Sequence, residues 1–108
     1  MYLIQMLLPR QGADGQPVAD AEFARTRAEL IDVFDGVTAY ARSPAQGAWT
    51  APDGRVERDD VIMVEVLAPA FDRAWWRDYS RTLARRFRQE AMHIRALPAE
   101  TPEDTGDG

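Results

Sequence analysis

The sequence predicts an α+β sandwich in the order β-α-β-β-α-β, and three observations predict it. Residues 36–67 hold two strand-like segments, Gly36-Val37-Thr38-Ala39-Tyr40-Ala41-Arg42 and Val61-Ile62-Met63-Val64-Glu65-Val66-Leu67, joined by a turn-marked connection. An apolar run and a helical pattern precede this pair, and a second helical pattern and an alternating segment follow it. The 108 residues suit one domain, because single domains most often hold roughly 100–150.

Residues 2–8 are almost continuously apolar, the pattern of a strand covered on both faces. Gln5 breaks the run and shares a face with Leu3 and Leu7, because side chains alternate along a strand. The run lacks a basic start and a small-residue cleavage site, and Pro9-Arg10 ends it, so it reads as a strand of a cytoplasmic protein rather than a signal peptide. It is too short to span a bilayer. Gln11 to Gln16, with Gly12, Asp14 and Gly15, is loop chemistry.

The first helix is expected from Pro17–Asp20 to Asp35–Gly36. Asp20 would act as N-cap, Glu22 would complement the N-terminal dipole, and Gly36 would take the left-handed C-terminal position. Phe23, Leu30, Ile31 and Phe34 share one face at helical spacing. A structureless loop from Ser43 to Asp60 would be unusually long, so the hairpin is expected to continue through Ala48-Trp49-Thr50 and Arg55-Val56-Glu57-Arg58. Its tip would be Pro52-Asp53-Gly54.

The second helix is expected from a cap at Asp72 to about Gln89, with Trp76, Tyr79, Leu83 and Phe87 on its apolar stripe and Trp75 widening it. Arg73, Arg77, Arg81 and Arg85 form a row, joined by Arg86 and Arg88, that reads as a solvated face with Glu29, Asp32 and Asp78 as counter-charges. The last strand, Ala91–Leu97, stops at Pro98. These elements predict a ferredoxin-like sandwich over residues 1–97: a four-stranded antiparallel sheet with both helices on one face and an extended hairpin between its second and third strands. Residues 98–108 carry four of the acids behind the net charge of −5 and no base, and read as a disordered tail. The nearly neutral body argues against nucleic acid, and the absence of cysteine excludes disulfides, thiol nucleophiles and thiolate metal sites.

Two helices cover one face of such a sheet, and the other would carry Leu3, Gln5, Leu7, Thr38, Tyr40, Arg42, Met63, Glu65, His93, Arg95 and Leu97. This set is too apolar to face water and too polar for core, which predicts a homo-oligomer, trimer or dimer. Gln5, Tyr40, Arg42, Glu65, His93 and Arg95 are the candidate ligand-binding residues. A carboxylate such as Glu65 needs a partner when buried, with Arg42 or Arg95 at hand, and His93 titrates near neutrality. The same set also reads as a structural polar network at a subunit interface, and His93 as a hydrogen-bonded strand residue. No ligand spacing supports a metal at His93 and Glu65, so no metal and no cofactor is expected. Trp49 and Met63 are the candidate interface residues, Trp49 packing on a neighbour or over a small-molecule ligand. No phosphate loop or nucleophile triad stands out.

Gly36-Val37-Thr38-Ala39-Tyr40, Trp49, Gly54-Arg55-Val56-Glu57, the apolar third strand and Ile94-Arg95-Ala96-Leu97-Pro98-Ala99-Glu100 resemble the skeleton of the CutA/PII-like group of small ferredoxin-like proteins. The resemblance covers roughly residues 36–67 and 90–100 and is shared with short bacterial proteins of unknown function. It implies a trimer with hairpins reaching between subunits and ligand sites in the clefts. The longer, proline-containing hairpin departs from that pattern, and no PII nucleotide signature is present. The alternative is a dimeric α/β-barrel enzyme, similar to cofactor-free monooxygenases or haem-related proteins, for which Tyr40, His93, Arg95 and Trp49 supply the residue types.

Overall fold

A computed structural model describes residues 1–34, 36–42, 48–50, 56–58, 61–100 and 102, and in 36–42, 48–50 and 56–58 the description is of the backbone. The elements are β1 (Tyr2–Pro9), α1 (Asp20–Val33), β2 (Gly36–Arg42), β3 (Ala48–Thr50), β4 (Val56–Arg58), β5 (Val61–Ala68), α2 (Arg73–Arg86) and β6 (His93–Pro98).

The expected architecture needs correcting. The chain forms an α+β fold, but the expected four-stranded ferredoxin-like sandwich with one extended hairpin is not seen in the described side chains. The sheet whose side chains are described is three-stranded and antiparallel, with β1 between β5 and β6. β2 follows the outer edge of β5 in backbone register, from Gly36 opposite Leu67 to Arg42 opposite Val61. Among the described residues β3 and β4 pair with each other, Trp49 opposite Glu57, so the arms of the expected long hairpin belong to two sheets. Pro44 and Gly47 stand between β2 and β3 in the sequence, and proline has no N–H to continue a ladder. The hairpin tip at 52–54, and the tail apart from residues 98–100 and 102, lie outside the described residues.

β1 organises the core because its two faces meet different surroundings. Ile4, Met6 and Leu8 are buried, and the residues between them are only half-buried. The buried set lies opposite Val66, Val64 and Ile62 on β5, and Ile4 and Met6 face Ala96 and Ile94 on β6. Leu30 of α1 and Trp76, Leu83 and Phe87, carried by α2 and its C-terminal end, close over this surface. Removing such apolar surface from water is the main force holding the layers together.

The helix ends differ in how far local sequence decides them. Asp72 caps α2 as expected, accepting a hydrogen bond from the Trp75 amide at 3.1 Å. At α1 the expected cap is displaced by one residue: Ala19 holds the cap position without a side-chain bond, and Asp20 sits in the first turn. Its C-terminus also differs. Phe34 leaves the helix in an extended conformation (φ −124°, ψ 144°), and Gly36 already belongs to β2 rather than serving as a left-handed stop. Tertiary packing accounts for this, since the Phe34 ring stacks on Trp76 at 5.4 Å and meets Trp75 edge-on at 5.4 Å. Ile31, expected on the buried stripe, is 51% exposed. It lies about 100° round the helix from the buried Leu30.

α2 ends at Arg86, short of the expected Gln89. Arg88 adopts a left-handed backbone (φ 54°), the Gln89 amide bonds the Ala84 carbonyl at 2.8 Å, and the Arg88 amide bonds that of Arg85 at 3.3 Å. These are the two bonds of a Schellman motif, with arginine in the place that glycine usually takes. No helix among the described residues is long and apolar enough to cross a membrane.

Candidate functional site

Strand alternation leaves the sheet face away from the helices to Leu3, Gln5 and Leu7 of β1, Met63, Glu65 and Leu67 of β5, and His93, Arg95 and Leu97 of β6. The register sorts these nine residues into three rows across the strands. Leu3 lies between Leu67 and Leu97, Gln5 between Glu65 and Arg95, and Leu7 between Met63 and His93. The β1 and β5 members are half-buried and the β6 members exposed, Leu97 by 41%. An apolar row and a mixed row thus flank a polar one.

Hydrogen bonds join the polar row. Arg95 Nε donates to Gln5 Oε1 at 2.9 Å, and Gln5 Nε2 donates to Glu65 Oε2 at 2.7 Å. The amide is therefore held in one orientation, its oxygen toward the base and its nitrogen toward the acid. Arg95 meets Glu65 through this amide because β1 separates their strands by two spacings, about 9–10 Å. The row has a direction: negative on the β5 side, neutral in the middle, positive on the β6 side.

Of the expected ligand-binding residues, Gln5, Glu65 and Arg95 are brought into bonding contact. His93 is exposed at the β6 end of the third row, opposite Leu7, with Met63 on the other side of Leu7. Tyr40 and Arg42 are placed only by backbone, opposite Met63 and Val61. Their side chains, and that of the interface candidate Trp49, lie outside the described residues. Among the described residues, no group of three His, Asp or Glu side chains could hold a metal ion.

A second polar cluster lies between the helices, where the arginine row of α2 was expected to be solvated. Arg73, Arg77, Arg81 and Arg85 are exposed, but the Arg86 side chain is only 5% exposed. Arg86 Nη1 donates to Glu29 Oε1 at 2.7 Å and to Thr26 Oγ1 at 2.8 Å, and Nη2 donates to Glu29 Oε2 at 2.9 Å. Tyr79 donates its hydroxyl to the same carboxylate at 2.9 Å. The Arg86 hydrogen bonds hold the Glu29 carboxyl below its ordinary value against partial burial, while burial and the Glu29 carboxylate push the Tyr79 phenol up. Thr26 on the buried stripe of α1 is the sequence signal for this cluster, since a polar residue there needs a partner.

Arg88 departs from the solvated row as well. It pairs with Asp14 at 3.0 Å and donates to the Gln16 and Pro17 carbonyls at 2.8 and 3.0 Å, fastening the loop between β1 and α1 to the end of α2. A Cβ on the buried Gly12 would stand 2.7 Å from Asp14 Oδ1 and 2.8 Å from Arg88 Nε, so a larger residue there would have to displace the Asp14–Arg88 pair. Both clusters tie structural elements to one another. Among the described residues, neither helix covers the open sheet face.

Comparison with protein-family models, with curated proteins and with solved structures finds no match for the chain.

Proposed function

We propose that the chain is an interaction module that works as a homo-oligomer, with its open sheet face buried against further copies of itself. The observation that carries this reading is the set of five apolar side chains, Leu3, Leu7, Met63, Leu67 and Leu97, that surrounds the Gln5-centred polar row on a face that, among the described residues, no helix covers. Contiguous apolar surface on a small protein marks an interaction site, and a domain of this size gains stability by burying it. The role is read as recognition, with Arg95, Gln5 and Glu65 bonding one another in a fixed row on that face. A regulatory, small-molecule-binding assembly like those of the CutA/PII-like group is one form of this reading.

Light scattering tests the proposal. The wild-type chain is expected at a mass of two or three protomers at micromolar concentration, and Leu3→Glu at one, with its far-UV circular dichroism unchanged. A wild-type chain that stays monomeric at hundreds of micromolar overturns it, as does an unchanged mass for a folded Leu3→Glu variant.

A further inference from the structure

We infer that the open face pairs with a second copy about a two-fold axis that lies along β1, above Gln5. The inference rests on the reading that the face is a contact between copies, and adds which copy meets it and how. The direction of the polar row supplies the argument. Two sheets packed face to face keep their strands within about 30° of each other, so a two-fold axis between them runs either along the strands or across them.

The two choices bring different charges together. An axis across the strands lays Glu65 on the partner's Glu65 and Arg95 on the partner's Arg95, and like charges held together in a contact disfavour it. An axis along β1 exchanges the two sides of the sheet. Glu65 then faces the partner's Arg95, and Arg95 faces the partner's Glu65.

The apolar rows follow the same operation. Leu67 comes over the partner's Leu97, Met63 over the partner's His93, and the β1 residues Leu3, Gln5 and Leu7 over their own copies. Each acid thereby gains the opposite charge across the interface, while Gln5 on the axis keeps its amide bonds within its own sheet. The Arg95–Gln5–Glu65 relay sets the side on which each charge stands. One directed row on an apolar face is self-complementary in one orientation alone.

The chain has no cysteine, so single-cysteine variants report the pairing without background. A thiol-to-thiol linker reaching about 8 Å spans facing positions on packed sheets but not positions two strands apart on top of that gap. Leu3→Cys is expected to cross-link to itself. Leu67→Cys and Leu97→Cys are each expected to fail alone and to cross-link when mixed. Self-linking of Leu67→Cys overturns the inference, and so does linking of Leu67→Cys to Met63→Cys, the product of an axis across the strands. A wild-type oligomer in which neither expected link forms overturns this geometry and leaves the interaction reading standing. A monomeric wild-type chain removes both.

Discussion

Arg86 ties the two helices together through a largely buried charge. Its guanidinium is almost fully enclosed between α1 and α2, bonded to both oxygens of Glu29 and to Thr26. Removing one partner of such a pair strands the other, a loss of roughly 3–5 kcal/mol when the site is buried. Glu29 is itself 38% exposed, which brings the expectation for Arg86→Ala toward the lower end, about 3 kcal/mol, read from urea unfolding. Acid should expose the same pair. Glu29 is held below its ordinary value of 4.5, so its contribution is complete above that pH and disappears as pH falls from there through the depressed value. Urea midpoints measured between pH 6 and pH 3 should therefore fall more steeply for the wild-type chain than for Glu29→Gln. Parallel curves would remove Glu29 from the acid response.

Among the elements, the end of α2 separates backbone conformation from side-chain bonding. Arg88 bears the left-handed conformation at its own expense and compensates by tying down Asp14 and the Gln16 and Pro17 carbonyls. Arg88→Ala loses those bonds and keeps the backbone penalty. Arg88→Gly loses the same bonds and relieves the penalty, so the alanine variant should be less stable than the glycine variant by about 1 kcal/mol. Equal stabilities would mean that the left-handed turn carries no cost. The opposite end of α2 was open to reading because an N-cap is local chemistry: Asp72 and the Trp75 amide lie three residues apart. The end of α1 was not, because Phe34 is drawn out of the helix by tryptophans some forty residues further along the chain.

Among the described residues one sheet face stands clear of both helices, and its charge direction makes the proposed assembly testable. If Glu65 faces the partner's Arg95, raising ionic strength from 50 to 500 mM should weaken association several-fold, because partly exposed charge pairs are screened. Leu67→Ala should weaken it at every ionic strength. A dissociation constant that tightens with salt, as for a purely apolar contact, would argue against the charge pairing.

Period-two alternation alone placed Gln5, Glu65 and Arg95 on one face, and apolar spacing alone placed Trp76, Leu83 and Phe87 in the core, because both depend on residues near one another in sequence. Alternation could not show that Gln5 joins the two charges, since that requires β1 to stand between β5 and β6 at a given register. Nor could it distinguish Arg86 from its neighbours: six arginines of one type line α2 and its C-terminal end, and only α1 lying against that side turns one of them inward. The strands were legible one by one, while their division between two sheets was decided by which edges paired. Local chemistry specifies where a side chain points, and non-local pairing specifies what it meets.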